Sequence, residues 1–223
     1  MDLMKWISSL DELLYEVMSW LLFLPLTLWR AITHPLAMMD YADTQLDLPE
    51  TEQYSAALSP PLFLTLILLV AHGISTALGQ SDAIVADRNG LAGMISDDAS
   101  ALALRVVIFA AFPLVAAARL VRRLNQPLNR NNLRTPFYAQ CYPVTVFTLG
   151  LTVGTSLVHV GGQSLRIIGG LLITVSFLYY AVVETRWFAA KLGTGFLRSS
   201  GAMALSLIEG FGLLLAAGFL LTR

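Results

Sequence analysis

Five apolar stretches, at 61–78, 101–118, 138–159, 165–183 and 201–222, each approach the roughly 20 residues a helix needs to cross a hydrocarbon core about 30 Å thick. Runs such as "PLFLTLILLV" and "GGLLITVSFLYYAVV" do not alternate, so they do not read as strands of a membrane barrel. Backbone polar groups inside a bilayer must be satisfied within each segment, and helices achieve this. The fold class that follows is all-α: a polytopic integral membrane helical bundle of five transmembrane helices, preceded by an N-terminal amphipathic helix that is interfacial or re-entrant. Composition agrees, because 56% of the 223 residues are apolar and 13% are charged, whereas a soluble domain usually carries about 25% charged residues.

Near the N-terminus, Leu3, Trp6, Ile7, Leu10, Leu13, Leu14, Val17, Met18 and Leu21 recur at intervals of three and four, with Ser9, Asp11, Glu12 and Glu16 between them. That pattern belongs to a helix lying with one face in the interface. The most apolar part, 17–29, is thirteen residues long with Pro25 near its centre, which is short for a span. A bent sixth span and a soluble packing helix are the alternatives. The first sixteen residues lack the basic start and small-residue cleavage site of a signal peptide, so the N-terminus is expected to be retained. Asp40, Asp43, Asp47, Glu50 and Glu52, with no basic residue from 31 to 59, mark an acidic connector. The chain thus divides into an N-terminal region, 1–59, and a five-helix transmembrane domain, 60–223.

Short loops give direction. Arg119, Arg122, Arg123, Arg130 and Arg134 lie between the second and third stretches without an acid among them, which places that link in the cytoplasm. The loop from 79 to 100 carries Asp82, Asp87, Asp97 and Asp98 against Arg88, as expected on the opposite side. The link before the last stretch carries Arg186, Lys191 and Arg198 against Glu184. These assignments alternate and put the N-terminus in the cytoplasm and the C-terminus in the periplasm or exterior.

Few ionisable residues fall within the stretches. Glu209 lies eight positions after Gly201, roughly 12 Å into the layer at 1.5 Å per residue. It reads as a satisfied packing residue, a proton or cation relay, or a group nearer the headgroups if its helix starts later. His72 stands at comparable depth, where an imidazole can bridge helices or relay a proton, and the two are possible partners. Arg105, His159 and Arg166 gather at the exterior end. The arginines either snorkel or converge on a phosphate, carboxylate or lipid headgroup. Gly150 and Gly154, with Gly161, Gly162, Gly169, Gly170, Gly210, Gly212 and Gly218, offer close-packing faces for helix association, including a protein partner or homo-oligomer. Pro113 and Pro143 are expected to bend their helices.

Net charge is -1, so nothing suggests a partner chosen by overall charge; nucleic acid is not expected, and membrane lipids are the expected partners of an embedded bundle. Cys141, the sole cysteine, has no partner thiol, and His34, His72 and His159 are widely separated, so neither a metal site nor a cofactor is expected. There is no GxGxxG following a strand, Walker loop, HExxH or nucleophile elbow, and an enzyme is not expected.

Three segments, "FLPLTLWRAITHPLAMM", "LRTPFYAQCYPVTVFTLG" and "YYAVVETRWFAAKLG", together with the five-helix plan, resemble the bacterial branch of the Yip-like family, whose members have an N-terminal cytosolic or interfacial region followed by five membrane helices. The resemblance implies a multi-pass protein of the bacterial inner membrane, with some members labelled permeases, and brings no catalytic residues. The resulting expectation is a small permease-like or lipid-associated protein. Its alternative is a membrane scaffold or assembly subunit that binds partner proteins or anionic lipids.

Overall fold

The computed structural model describes residues 2–79 and 98–222, and every element among them is a helix. In chain order these are α1 Asp2–Thr33, α2 Pro35–Gln45, α3 Pro60–Ala77, α4 Asp98–Arg123, α5 Arg130–Val160, α6 Gln163–Leu192 and α7 Phe196–Thr222. Asp82, Asp87, Arg88 and Asp97, assigned to the exterior loop, lie outside the described residues. Six of the described helices contain a stretch long and apolar enough to cross a membrane, five of them overlapping the expected spans. The sixth is Leu10–Thr33 in α1. The protein is therefore an all-helical, multi-pass membrane bundle with several apolar helices of spanning length.

Helix α5 is central and packs against α1, α2, α3, α4 and α6, while α7 closes the opposite side against α4 and α6. The end where α3 and α5 begin and α4 and α6 finish holds Arg119 to Arg134 and is called the basic end. Between α5 and α6 the chain reverses over Gly161 and Gly162, at φ 97° and 80°, a region that side chains with a Cβ rarely occupy. This turn sets α5 and α6 side by side. A Cβ at Gly154 would stand 2.7 Å from Ile173 Cγ1 and 2.9 Å from the Gly169 carbonyl, and one at Gly150 would strike Ser176. These glycine faces therefore meet a neighbouring helix of the same chain. Gly210 likewise seats the ring of Phe112.

The α1–α2 boundary follows from Pro35. The residue before proline is driven out of the α region, and His34 sits at φ -132°, ψ 55°. In α1 the inward seam is Trp20, Phe23, Leu24, Thr27, Leu28 and Ala31, at helical spacing. Leu13, Leu14, Met18, Leu21, Leu22 and Trp29 of the same helix are exposed. The acidic connector differs from a loop: its first part is α2, which buries Met38, Met39 and Ala42. Its acids Asp40 and Asp43 instead turn to Lys191.

Residues 1–59 and 60–223 share one core, in which Ala31, Met39, Ala57 and Leu58 pack with Phe63, Tyr142, Val183 and Trp187. Hydrogen bonds reinforce it: Tyr142 OH donates to the Leu58 carbonyl at 2.9 Å, Tyr179 OH to Ala31 at 2.6 Å, and the Leu58 amide to Thr27 Oγ1 at 3.1 Å. A second cluster joins α3 to α7 through Leu64, Phe112, Phe147, Tyr180 and Leu207, with Phe147 and Tyr180 stacked at 5.1 Å.

Candidate functional site

Helix α4 supplies an arginine to each of the two acid–base candidates. Arg119 forms an ion pair with Glu209 of α7, and Arg105 Nη1 lies 3.2 Å from His72 Nδ1 of α3. Guanidinium groups only donate, so Nδ1 is the acceptor and the ring proton is on Nε2. Glu209 and His72 are thus engaged with different arginines and are not partners of each other. Glu209 is half exposed, in an open groove of about 420 Å³ that also holds Arg122 and Arg123. Of the three exterior-end candidates, Arg105 is the one that meets another candidate residue, His72. His159 Nδ1 donates to the carbonyl of Thr155, one turn earlier in its own helix, at 2.7 Å, and Arg166 is exposed without an ion pair among the described residues. Among the described residues no group of three His, Cys, Asp or Glu side chains could hold a metal ion, and Cys141 is buried.

The most buried acid falls, by hydropathy alone, in the link before the last apolar stretch. Glu184 is 1% exposed because α6 continues nine residues beyond the expected end at 183, to Leu192. Its carboxylate lies beside the amide of Gln140 on α5, which is fully buried. Neither Glu184 oxygen and neither polar atom of Gln140 makes a hydrogen bond among the described residues, and Thr148 Oγ1 and Trp187 Nε1 are also buried without partners. Unpartnered buried polar groups are rare in folded proteins, and four side chains on two facing helices demand a reason. The usable signal was helical period: Tyr180, Glu184, Trp187 and Lys191 recur at steps of four, three and four, which continues α6 across the hydropathy boundary at 183.

A vestibule of about 280 Å³ with a mixed polar and apolar lining opens at the basic end close to this pair. Asp43, Gln126, Asn131, Asn132, Thr135 and Lys191 contribute its polar lining, and Trp187 forms part of its wall. Glu184 lies three residues before Trp187 on α6, about one helical turn deeper, and Gln140 lies one turn beyond the lining residue Pro136 on α5. Lys191 Nζ stands 2.7 Å from Asp43 Oδ2, 3.4 Å from Asp40 Oδ1 and 4.3 Å from the Trp187 ring centroid. Burial pushes the Asp43 carboxyl up from the ordinary carboxylate range, against the opposing pull of Lys191. The vestibule therefore has the Asp43–Lys191 pair and an indole in its lining, and Glu184 lies outside that lining, about one helical turn before Trp187 on α6. No protein-family model matches the chain, and neither a curated protein nor a solved structure shows significant similarity to it.

Proposed function

We propose that this is a small permease-like protein of the bacterial inner membrane, in which Glu184 takes up the proton or cation that the protein moves. In this reading α3 to α7 cross the membrane, α1 is interfacial or re-entrant, and the basic end faces the cytoplasm. The observation that carries it is the Glu184 carboxylate, 1% exposed beside the Gln140 amide and with no cationic side chain paired to it among the described residues. Holding an unpaired carboxylate away from water costs several kcal/mol by order of magnitude. A proton on one oxygen, or a cation beside it, removes that cost and lets Gln140 complete the polar contacts. An ionisable residue so placed in a membrane protein is first a candidate for a transport pathway.

Membership of the Yip-like family, which three segments of the sequence resemble, is part of this proposal and would imply the same location. Its three carrying segments come together in the fold: Tyr179 donates to Ala31, Met39 shares a core with Tyr142 and Trp187, and Gln140 lies beside Glu184. Proteoliposomes with an imposed potassium diffusion potential and an internal pH dye provide the test. Wild-type protein should carry protons above the protein-free baseline, and Glu184→Gln, incorporated equally, should return to it. Equal flux in the two proteins, or none in either, overturns this reading.

The scaffold alternative has one observation in its favour: only 6% of the spanning-length window of α1 is buried. A partner helix laid on Leu14, Met18 and Leu21 would copurify in mild detergent and be lost when those residues are made polar.

A further inference from the structure

We infer that the groove between α4 and the first turns of α5 binds one anionic phospholipid from the leaflet at the basic end. This inference is independent of Glu184 and of the permease reading. The groove has a volume of about 890 Å³, within the range of roughly 300–1,000 Å³ usual for small-molecule sites. Ala110, Ala111 and Leu114 of α4 and Leu133 and Phe137 of α5 give it an apolar lining. Its cationic side chains, Arg130 and Arg134, sit together in the first turns of α5. Both are exposed, and neither has an acidic partner among the described residues, although Arg134 lies over the Tyr138 ring at 5.7 Å.

This arrangement matches one class of occupant. Ala110, Ala111 and Leu114 belong to a helical stretch of spanning length, so hydrocarbon rather than water covers that part of the groove. A zwitterionic lipid would satisfy the apolar wall but leave two guanidiniums facing an ammonium group as well as a phosphate. A lipid with net negative charge satisfies both ends: acyl chains lie along α4, and the phosphate accepts paired N–H bonds from Arg130 and Arg134. Cation–π contact with Tyr138 holds the Arg134 guanidinium beside the groove.

The test uses the full chain in mild detergent, titrated with dioleoyl phosphatidylglycerol or dioleoyl phosphatidylcholine and read by native mass spectrometry. Wild type should retain one phosphatidylglycerol about tenfold more tightly than phosphatidylcholine, the effect of one charge-assisted hydrogen bond. The pair Arg130→Gln and Arg134→Gln should abolish that preference. Arg122→Gln with Arg123→Gln removes the same charge outside the groove and should preserve it. Ala111→Trp, which fills the groove without changing charge, should weaken both lipids and provides a readout if the double arginine variant fails to fold. Equal affinity for the two lipids in wild type, or equal loss from the two arginine pairs, would overturn the site.

Discussion

Lys191 near the end of α6 is tied to Asp43 of α2, its Nζ 2.7 Å from Oδ2, while the same ammonium lies over the ring of Trp187. The contact fixes α2 against the mouth of the vestibule and closes a core that includes Met39 and Trp187. With the two side chains 33% and 22% exposed, the pair lies between surface bridges, worth below about 1 kcal/mol, and buried ones, whose breakage costs about 3–5 kcal/mol. Lys191→Met should therefore destabilise the protein by about 1–2 kcal/mol in denaturant unfolding. Adding Asp43→Asn should recover part of that loss, since it removes the carboxylate left unpaired.

Asp43 also gives stability a pH dependence of definite sign. Burial raises its pKa most strongly; Lys191 pulls it down, and Asp40 and Asp47 add small upward contributions. The folded chain thus holds this proton to higher pH than the unfolded chain, whose carboxyl titrates near 3.8. Between those values the folded state binds more protons, so this residue's contribution makes stability fall as pH rises and level off above the window. Thermal unfolding across that range should show the decline in wild type and a flatter profile in Asp43→Asn. An unchanged slope in the variant would assign the dependence to other carboxylates.

The apolar stretches of α3 to α7 were legible because hydropathy reports them directly, and the short links joining α4 to α5, α5 to α6 and α6 to α7 reveal antiparallel order. Glu184 was not, because hydropathy falls at 183 while the helix continues, and a charged residue at that boundary reads as a loop until helical period is followed through it. Glu209 stands out by its rarity among apolar residues, but rarity does not name a partner. That partner, Arg119, was assigned to a cytoplasmic link and lies inside α4. The connector hid α2 because the acids that mark it as polar occupy one face, with Met38, Met39 and Ala42 buried on another.

Two glycines of the α5–α6 region should respond oppositely to an added side chain. At Gly154 a Cβ meets Ile173 Cγ1 at 2.7 Å and the backbone oxygen of Gly169 at 2.9 Å, and backbone cannot easily yield. Gly154→Ala should cost about 1–3 kcal/mol as an overpacking substitution. Gly170 has nothing within 4 Å, so Gly170→Ala should gain up to about 1 kcal/mol of helix propensity. Unfolding of the two variants in one detergent measures both signs.

Glu184 and Glu209 should separate in the same experiment. Glu209 shares a groove with Arg119, Arg122 and Arg123, so Glu209→Gln leaves three guanidiniums without the acid and should lose about 1 kcal/mol. Glu184 has no cation to release, and Glu184→Gln exchanges an unpartnered acid for a neutral amide of the same shape. Its unfolding stability should be unchanged or higher. Proton uptake reverses the ranking, being lost in Glu184→Gln and retained in Glu209→Gln.

The second half of α1 is held by the connector that follows it. Thr27 Oγ1 accepts from the Leu58 amide, Arg30 Nη1 donates to the Ala56 carbonyl at 2.9 Å, and Glu16, Ser19 and Trp20 line a pocket with Glu50, Gln53 and Tyr54. These partners belong to the connector that leads into α3 at the basic end, and none belongs to the far ends of α5 or α6. A crossing α1 would carry Glu12 away from the basic end, whereas an interfacial or re-entrant α1 would keep it there. Because Cys141 is buried, single cysteines can be introduced without removing it. Asn131→Cys and Gln163→Cys should react with a membrane-impermeant maleimide from opposite sides. Glu12→Cys should label with Asn131→Cys; labelling with Gln163→Cys would make α1 a sixth span and place both termini on one side.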